Sequence, residues 1–193
     1  MKSLWLCLVL IGSAIVGAAC VEQGSGSLRA DKLVVADCSS GGYWEPFELE
    51  LTFMALLRAQ DALIIRMSTS SQLSEESDSL VVTLENYSAV KAALLAEGSV
   101  VIALDSVHAA ASVALLKSCP QSTLSLFAVK GELRLDALGT LSGERVSGGL
   151  TFDLIEGRSG EELSSGVEVD FDFRVYTGTP HEAFADIPAR YGE

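Results

Sequence analysis

Residues 167–175 read Val-Glu-Val-Asp-Phe-Asp-Phe-Arg-Val, apolar side chains alternating strictly with charged ones. Successive side chains of a strand point to opposite faces, so this stretch describes a β-strand with one buried and one wet face. Residues 47–53, Phe-Glu-Leu-Glu-Leu-Thr-Phe, repeat the pattern. Working outward, further strands are expected over residues 62–67, 79–85, 99–104, 107–116, 123–129, 132–138 and 145–155, separated mainly by Gly, Ser, Asp, Asn or Pro. Residues 88–96 and the alanine-rich 107–117 compete as helices, since Ala and Leu are good helix formers. The first is read as a short helix and the second as a strand, because Val107, Ala109, Ala111, Val113 and Leu115 keep alternation. Many short strands at this spacing predict a mainly β fold, a single mostly antiparallel β-sandwich of about eight to ten strands over residues 31–177.

The chain has 193 residues, 13 basic and 26 acidic, and a formal charge of −13. Such a surface disfavours nucleic acid, and an anionic membrane would repel it. Any membrane attachment must therefore come from elsewhere, and the N-terminus supplies it. Lys2 gives a short positive region, residues 4–16 an apolar one, and Gly17-Ala18-Ala19 a run of small residues before Cys20. This is the order of an export signal, covering residues 1–19. The apolar run is shorter than the roughly 20 residues that span a bilayer. Residues 17–20 resemble a lipobox, in which a small residue precedes a lipidated cysteine, although Gly17 stands where a branched aliphatic is usual. The resemblance implies an N-terminal lipid on Cys20; cleavage by a general signal peptidase, giving a secreted or periplasmic protein, is the alternative. Residues 20–30, centred on Gly24-Ser25-Gly26-Ser27, have the composition of a flexible lipid-anchored linker. Residues 178–193 show no strand pattern and are expected to lie along the surface as a tail or to fray.

Of four cysteines, Cys7 leaves with the signal and Cys20 would be acylated, which leaves Cys38 and Cys119 as an even pair. A disulfide between them is the simplest outcome, with two separate buried thiols as the alternative. Tyr43 and Trp44 follow Gly41-Gly42 close to Cys38 and are expected to pack over that bridge rather than form a ligand platform.

Catalytic chemistry has little to draw on. The histidines are His108, inside a predicted strand, and His181, in the tail; each reads as structural or solvated rather than as a base. There is no nucleophile elbow, phosphate-binding glycine loop or zinc-ligand spacing, and no cofactor is expected. Residues 68–79 are polar and acidic and read as an exposed connection. Within it Glu75, Glu76 and Asp78 are weak calcium candidates, although the Asp-x-Asp-x-Asp/Asn-Gly spacing is missing. Glu168, Asp170 and Asp172 share one strand face and need Arg174 or a neighbouring strand to balance them. A paired-carboxylate site is formally open to them, and a wet sheet face is the simpler reading.

From Gly131 onward, Gly131-Glu132-Leu133-Arg134-Leu135, Gly143-Glu144-Arg145-Val146-Ser147-Gly148, Phe152-Asp153-Leu154, Phe171-Asp172-Phe173-Arg174-Val175 and Thr177-Gly178-Thr179-Pro180 resemble the C-terminal part of uncharacterised lipoproteins of myxobacterial type. That resemblance covers roughly a third of the chain and implies a lipid-anchored β-sandwich with no established activity. The resulting expectation is a non-enzymatic cell-envelope lipoprotein, in the outer membrane by preference, that binds or supports an envelope partner. An envelope-polymer hydrolase using surface carboxylates and a calcium-dependent adhesion domain are the competing readings.

Overall fold

The computed structural model describes residues 23–38, 41–71, 77–122, 124–178 and 181. The stretch read as an export signal, residues 1–19, and Cys20, Glu75 and Glu76 lie outside them. The strands are β1 (Gly24–Ala30), β2 (Leu33–Val34), β3 (Tyr43–Trp44), β4 (Phe47–Leu51), β5 (Phe53–Ala59), β6 (Ala62–Ser68), β7 (Asp78–Leu84), β8 (Val100–Leu104), β9 (Ala109–Leu115), β10 (Leu126–Leu138), β11 (Arg145–Glu156) and β12 (Glu162–Arg174), with one helix, α1 (Tyr87–Glu97), between β7 and β8. Ten strands form one sheet in the order β4-β1-β12-β11-β10-β8-β9-β7-β6-β5, nearly closed into a barrel, and β2 pairs with β3. Neighbouring strands are antiparallel apart from β8 and β9. The mainly β, mostly antiparallel expectation is met. Where two packed sheets were expected, the pairings join ten strands into one continuous sheet that curls around its own core.

β12 shows why. From Gly166 onward its odd residues Val167, Val169, Phe171 and Phe173 are buried and its even ones are exposed. A rim of two packed faces is not needed, because the same alternation recurs on β1, β4, β10 and β11 and points inward from each. The helix expected over 88–96 is α1. Its first N–H groups are taken by Asp61 of the β5–β6 turn: Tyr87 N–H donates to the Asp61 carbonyl at 2.7 Å and Ser88 N–H to Asp61 Oδ1 at 3.0 Å.

Three expectations are corrected. Residues 24–30 are no tether: they form β1, hydrogen-bonded between β4 and β12. Gly24 and Gly26 face inward opposite Phe173 and Phe171, and a Cβ on Gly26 would lie 3.2 Å from the Phe171 Cβ. The glycines are the space that the two rings occupy, while Ser25 and Ser27 face out. The two strands expected over 123–129 and 132–138 are one, β10 from Leu126 to Leu138, interrupted by a bulge where Lys130 has φ 52°. Finally, the strand expected from residue 107 begins at Ala109, and Val107 and His108 belong to the preceding turn.

The seam between the sheet's two ends is fastened by a side chain. Gln23, 8 % exposed, donates from Nε2 to the Met54 carbonyl at 2.7 Å and accepts the Met54 N–H on Oε1 at 3.0 Å. Its amide thus imitates one residue of a neighbouring strand against the edge of β5. Gln23→Leu removes the acceptor of the Met54 N–H and leaves the Met54 carbonyl only the His181 Nδ1 at 3.1 Å, and the expected loss is about 2 kcal/mol. Urea unfolding checks this; parental stability in the variant would show that the junction is unimportant.

The Cys38–Cys119 disulfide is formed, with Cα atoms 5.3 Å apart and both residues buried. Trp44 packs on the core and meets Phe47 edge-on at 5.6 Å, whereas Tyr43 is exposed, under the Lys32 ammonium. The two rings therefore part company instead of both covering the bridge.

Candidate functional site

The outward face of β4, β1, β12, β11 and β10 brings together side chains scattered over more than 120 positions of sequence. Cross-strand register aligns Glu50, Ser27, Asp170, Gly149 and Arg134 in one row, and Ser25, Asp172 and Ser147 in the next. Large charged groups thus stand beside small ones. Gly149 sits between Arg134 and Asp170, and a Cβ placed on it would be 3.3 Å from Asp170 Oδ1 and 3.8 Å from an Arg134 terminal nitrogen. The missing side chain leaves a notch with a cation on one wall and a carboxylate on the other. A depression of about 270 Å³ opens there, lined by Val101, Glu132, Arg134, Gly149, Thr151, Glu168 and Asp170. A second of about 530 Å³ shares Arg134 and Asp170 and runs on over Ser25, Ser27 and Ser147 towards Arg145. Together they make one shallow groove across five strands.

Ser147 is the unusual member. It is 4 % exposed, it lines the groove, and its hydroxyl has no hydrogen-bond partner among the described residues. A buried hydroxyl without a partner costs free energy, and a side-chain rotation that turns it into the groove would let a ligand donor or acceptor recover it. Beside it Arg145 grips Asp172 with two bonds, Nε to Oδ1 at 2.6 Å and a terminal nitrogen to Oδ2 at 2.7 Å. That contact holds the Asp172 carboxyl below its ordinary range and raises the Arg145 guanidinium. The neighbouring strand therefore supplies the main balance for this acid, and Arg174, which donates to the Gly143 carbonyl, adds a smaller electrostatic contribution. Arg134 pairs with Asp136 at 3.3 Å, and Arg29 with Glu48 at 2.8 Å. The groove can offer donors and acceptors in close alternation.

Of the residues singled out from sequence, Glu168, Asp170 and Asp172 line the groove, while the described calcium candidate and the histidines are placed elsewhere. Asp78 is not a loop ligand: it is 1 % exposed in β7, and its carboxylate accepts the N–H groups of Lys117 and Ser118 and the Ser118 hydroxyl. A carboxylate saturated in this way has little left for calcium. Among the described residues no group of three or more His, Cys, Asp or Glu could hold a metal ion. His181 stacks on Phe53 rather than standing in solvent. His108 is in the turn after β8, where its Nδ1 lies 2.7 Å from Asp105 Oδ2. Neither histidine lies against the serines of the groove.

Asp105 gathers that turn. Its Oδ1 accepts the N–H groups of His108 at 2.8 Å and Val107 at 2.9 Å. The His108 backbone bond is the largest cause, followed by the His108 ring, of a carboxyl pKa lowered to about 2. A carboxyl depressed on folding stabilises the fold above its unfolded pKa, and that contribution disappears as pH falls through the folded value. The turn is therefore expected to hold at pH 5 and to loosen between about pH 4 and 2. A carbon-detected NMR titration of Asp105 checks it, and a midpoint near the ordinary 3.8 would contradict the geometry.

Arg134, Ser147 and Gly149 were not recognisable as site residues in the sequence. The one available signal was the Gly148-Gly149 pair inside an otherwise apolar strand, which marks a place where something approaches the backbone closely. No protein-family model, curated protein or solved structure matches this chain.

Proposed function

We propose that the protein is a non-enzymatic lipoprotein of the bacterial cell envelope, anchored through Cys20, whose barrel binds a hydroxyl-rich envelope component along the outward groove. The orphaned Ser147 hydroxyl, buried in the floor of that groove, is the observation that carries the binding reading. Each hydroxyl of a polyol both donates and accepts, which suits a groove where arginine donors, carboxylate acceptors and serines interleave. The anchor reading rests on the order of Lys2, the apolar run and Gly17-Ala18-Ala19-Cys20. Because β1 begins at Gly24, only three residues separate Cys20 from that strand, and the barrel would sit directly against the bilayer rather than on a tether.

Intact-mass measurement of the membrane-extracted protein tests the anchor: a diacylglycerol mass on Cys20 is expected, and an unmodified N-terminus would refute it. For the groove, the domain is titrated with solubilised envelope polysaccharide and followed by amide NMR. Shifts centred on Arg134, Ser147 and Asp170 are expected, and their loss in an Arg134→Ala/Asp170→Ala variant. Unmoved groove amides at saturating polysaccharide would count against this ligand class.

A further inference from the structure

The two ends of the barrel are unlike. β1 starts at Gly24, paired with Phe173 near the end of β12, and the Gln23 carbonyl accepts the Arg174 N–H at 2.6 Å. The loop from β10 to β11 meets them there: Gly143 N–H donates to the Val175 carbonyl at 2.8 Å, and the Arg174 side chain donates to the Gly143 carbonyl at 3.2 Å. α1 rests on the same loop, with the Tyr87 hydroxyl 3.3 Å from Thr140 Oγ1. The start of β1, residues 139–144 and α1 therefore share one end of the barrel. The β2–β3 pair, which carries Trp44, follows the other end of β1, a seven-residue strand or roughly 23 Å away.

α1 is apolar on both faces. Tyr87 is buried and Val90 and Leu94 pack on the core, which leaves Ala89, Ala92, Leu95 and Ala96 exposed. A surface helix ordinarily turns a polar stripe to water; here the outer stripe is mostly alanine, with a leucine that is 80 % exposed. Leu141 in the adjoining loop is 67 % exposed, and Glu144 fixes that loop by accepting the Thr140 and Leu141 N–H groups at 2.7 and 2.9 Å. Among the described residues, the exposed leucines thus gather at the end where β1 begins. Apolar side chains collected in this way mark a contact surface. Cys20 stands three positions before Gln23, no more than about 10 Å of extended chain. A lipid on that cysteine brings a bilayer to this end of the barrel and not to the other.

We infer, on the premise that Cys20 is lipidated as proposed above, that the outer face of α1 and the Leu141 loop are a membrane-contacting surface, with Leu95 and Leu141 seated in the interface of the bilayer. The acyl chains supply the attraction that so acidic a protein lacks, and the two leucines leave water once the anchor has brought them to the lipid. An anchor alone leaves the barrel free to swivel. A second contact fixes its orientation, with the β2–β3 end farthest from the bilayer.

The test uses lipids brominated on their acyl chains, which quench tryptophan on contact. Trp44 is the one tryptophan outside residues 1–19, and it stands at the far end of β1 as a built-in reference. The full chain, expressed and extracted from membranes, is reconstituted into brominated or ordinary phosphatidylcholine vesicles, as the parent and as Leu95→Trp and Leu141→Trp variants, and its N-terminal mass is measured. The emission added by each new tryptophan is expected to fall at least twofold in the brominated vesicles, while Trp44 of the parent keeps its emission. A lipidated, vesicle-bound protein with no quenching at position 95 or 141, or with Trp44 quenched as strongly, overturns the inference and leaves the anchor standing. An N-terminus without lipid removes the anchor, and this inference falls with it.

Discussion

Serine at both Cys38 and Cys119 is expected to lower stability by about 4 kcal/mol. The bridge joins positions 81 residues apart, and the entropy that a cross-link removes from the unfolded chain grows with the loop it closes. It ties the turn before β3 to the connection between β9 and β10. For a chain of this size the loss corresponds to a fall in melting temperature on the order of 10 °C. Thermal and urea unfolding of the double variant check it, with reduction of the parent protein as an independent route to the same state. A loss below about 1 kcal/mol by both routes would mean that the unfolded chain is already constrained without the bridge.

Asp78→Ala is expected to cost about 3 kcal/mol, because it strands two backbone N–H groups and a hydroxyl that a buried carboxylate now satisfies. The N–H groups of Lys117 and Ser118 each reach Asp78 Oδ1 at 2.9 Å, and the Ser118 hydroxyl reaches Oδ2 at 2.6 Å. Asp78→Asn keeps one oxygen acceptor and should recover part of the loss. The turn so held leads directly into Cys119, so the two perturbations act on one piece of structure. A double-mutant cycle with the cysteine pair should show a combined loss smaller than the sum. Strict additivity would mean that Asp78 does not position the bridge. Urea unfolding of the single and combined variants supplies all the terms.

Asp78 also shows where reading a sequence runs short. It ends a polar, acidic run, Ser-Glu-Glu-Ser-Asp-Ser, whose composition resembles that of any exposed connection. Only the arrival of residues 117–118, some forty positions later, makes its carboxylate a buried fastening. Gly24 to Ser27 illustrate the same limit from the other side. A Gly-Ser repeat describes a linker until Phe171 and Phe173 are laid beside it, whereupon the glycines become the small halves of two inward pairs. Gln23 was silent for a related reason: its worth lies in imitating a strand residue at Met54, which no pattern in its own neighbourhood announces. The groove was the least legible of all. Its walls come from strands as far apart in the chain as β1, β4 and β12, and the residue that opens it, Gly149, contributes only the absence of a side chain.

By itself the sequence determined the strands with strict alternation and the short helix, and it made Cys38 and Cys119 the expected pair. These follow from periodicity within a segment or from parity within a compartment, and neither depends on what packs alongside. The tertiary structure alone decided that the strands share one nearly closed sheet, that a glycine-serine stretch belongs inside it, and that Arg134, Ser147 and Asp170 face one groove. Those outcomes depend on register between strands distant in the chain. Alternation says which side chains share a face, but it does not say which strand lies next to which, and the hydrogen-bond ladder between neighbours is what sets that order.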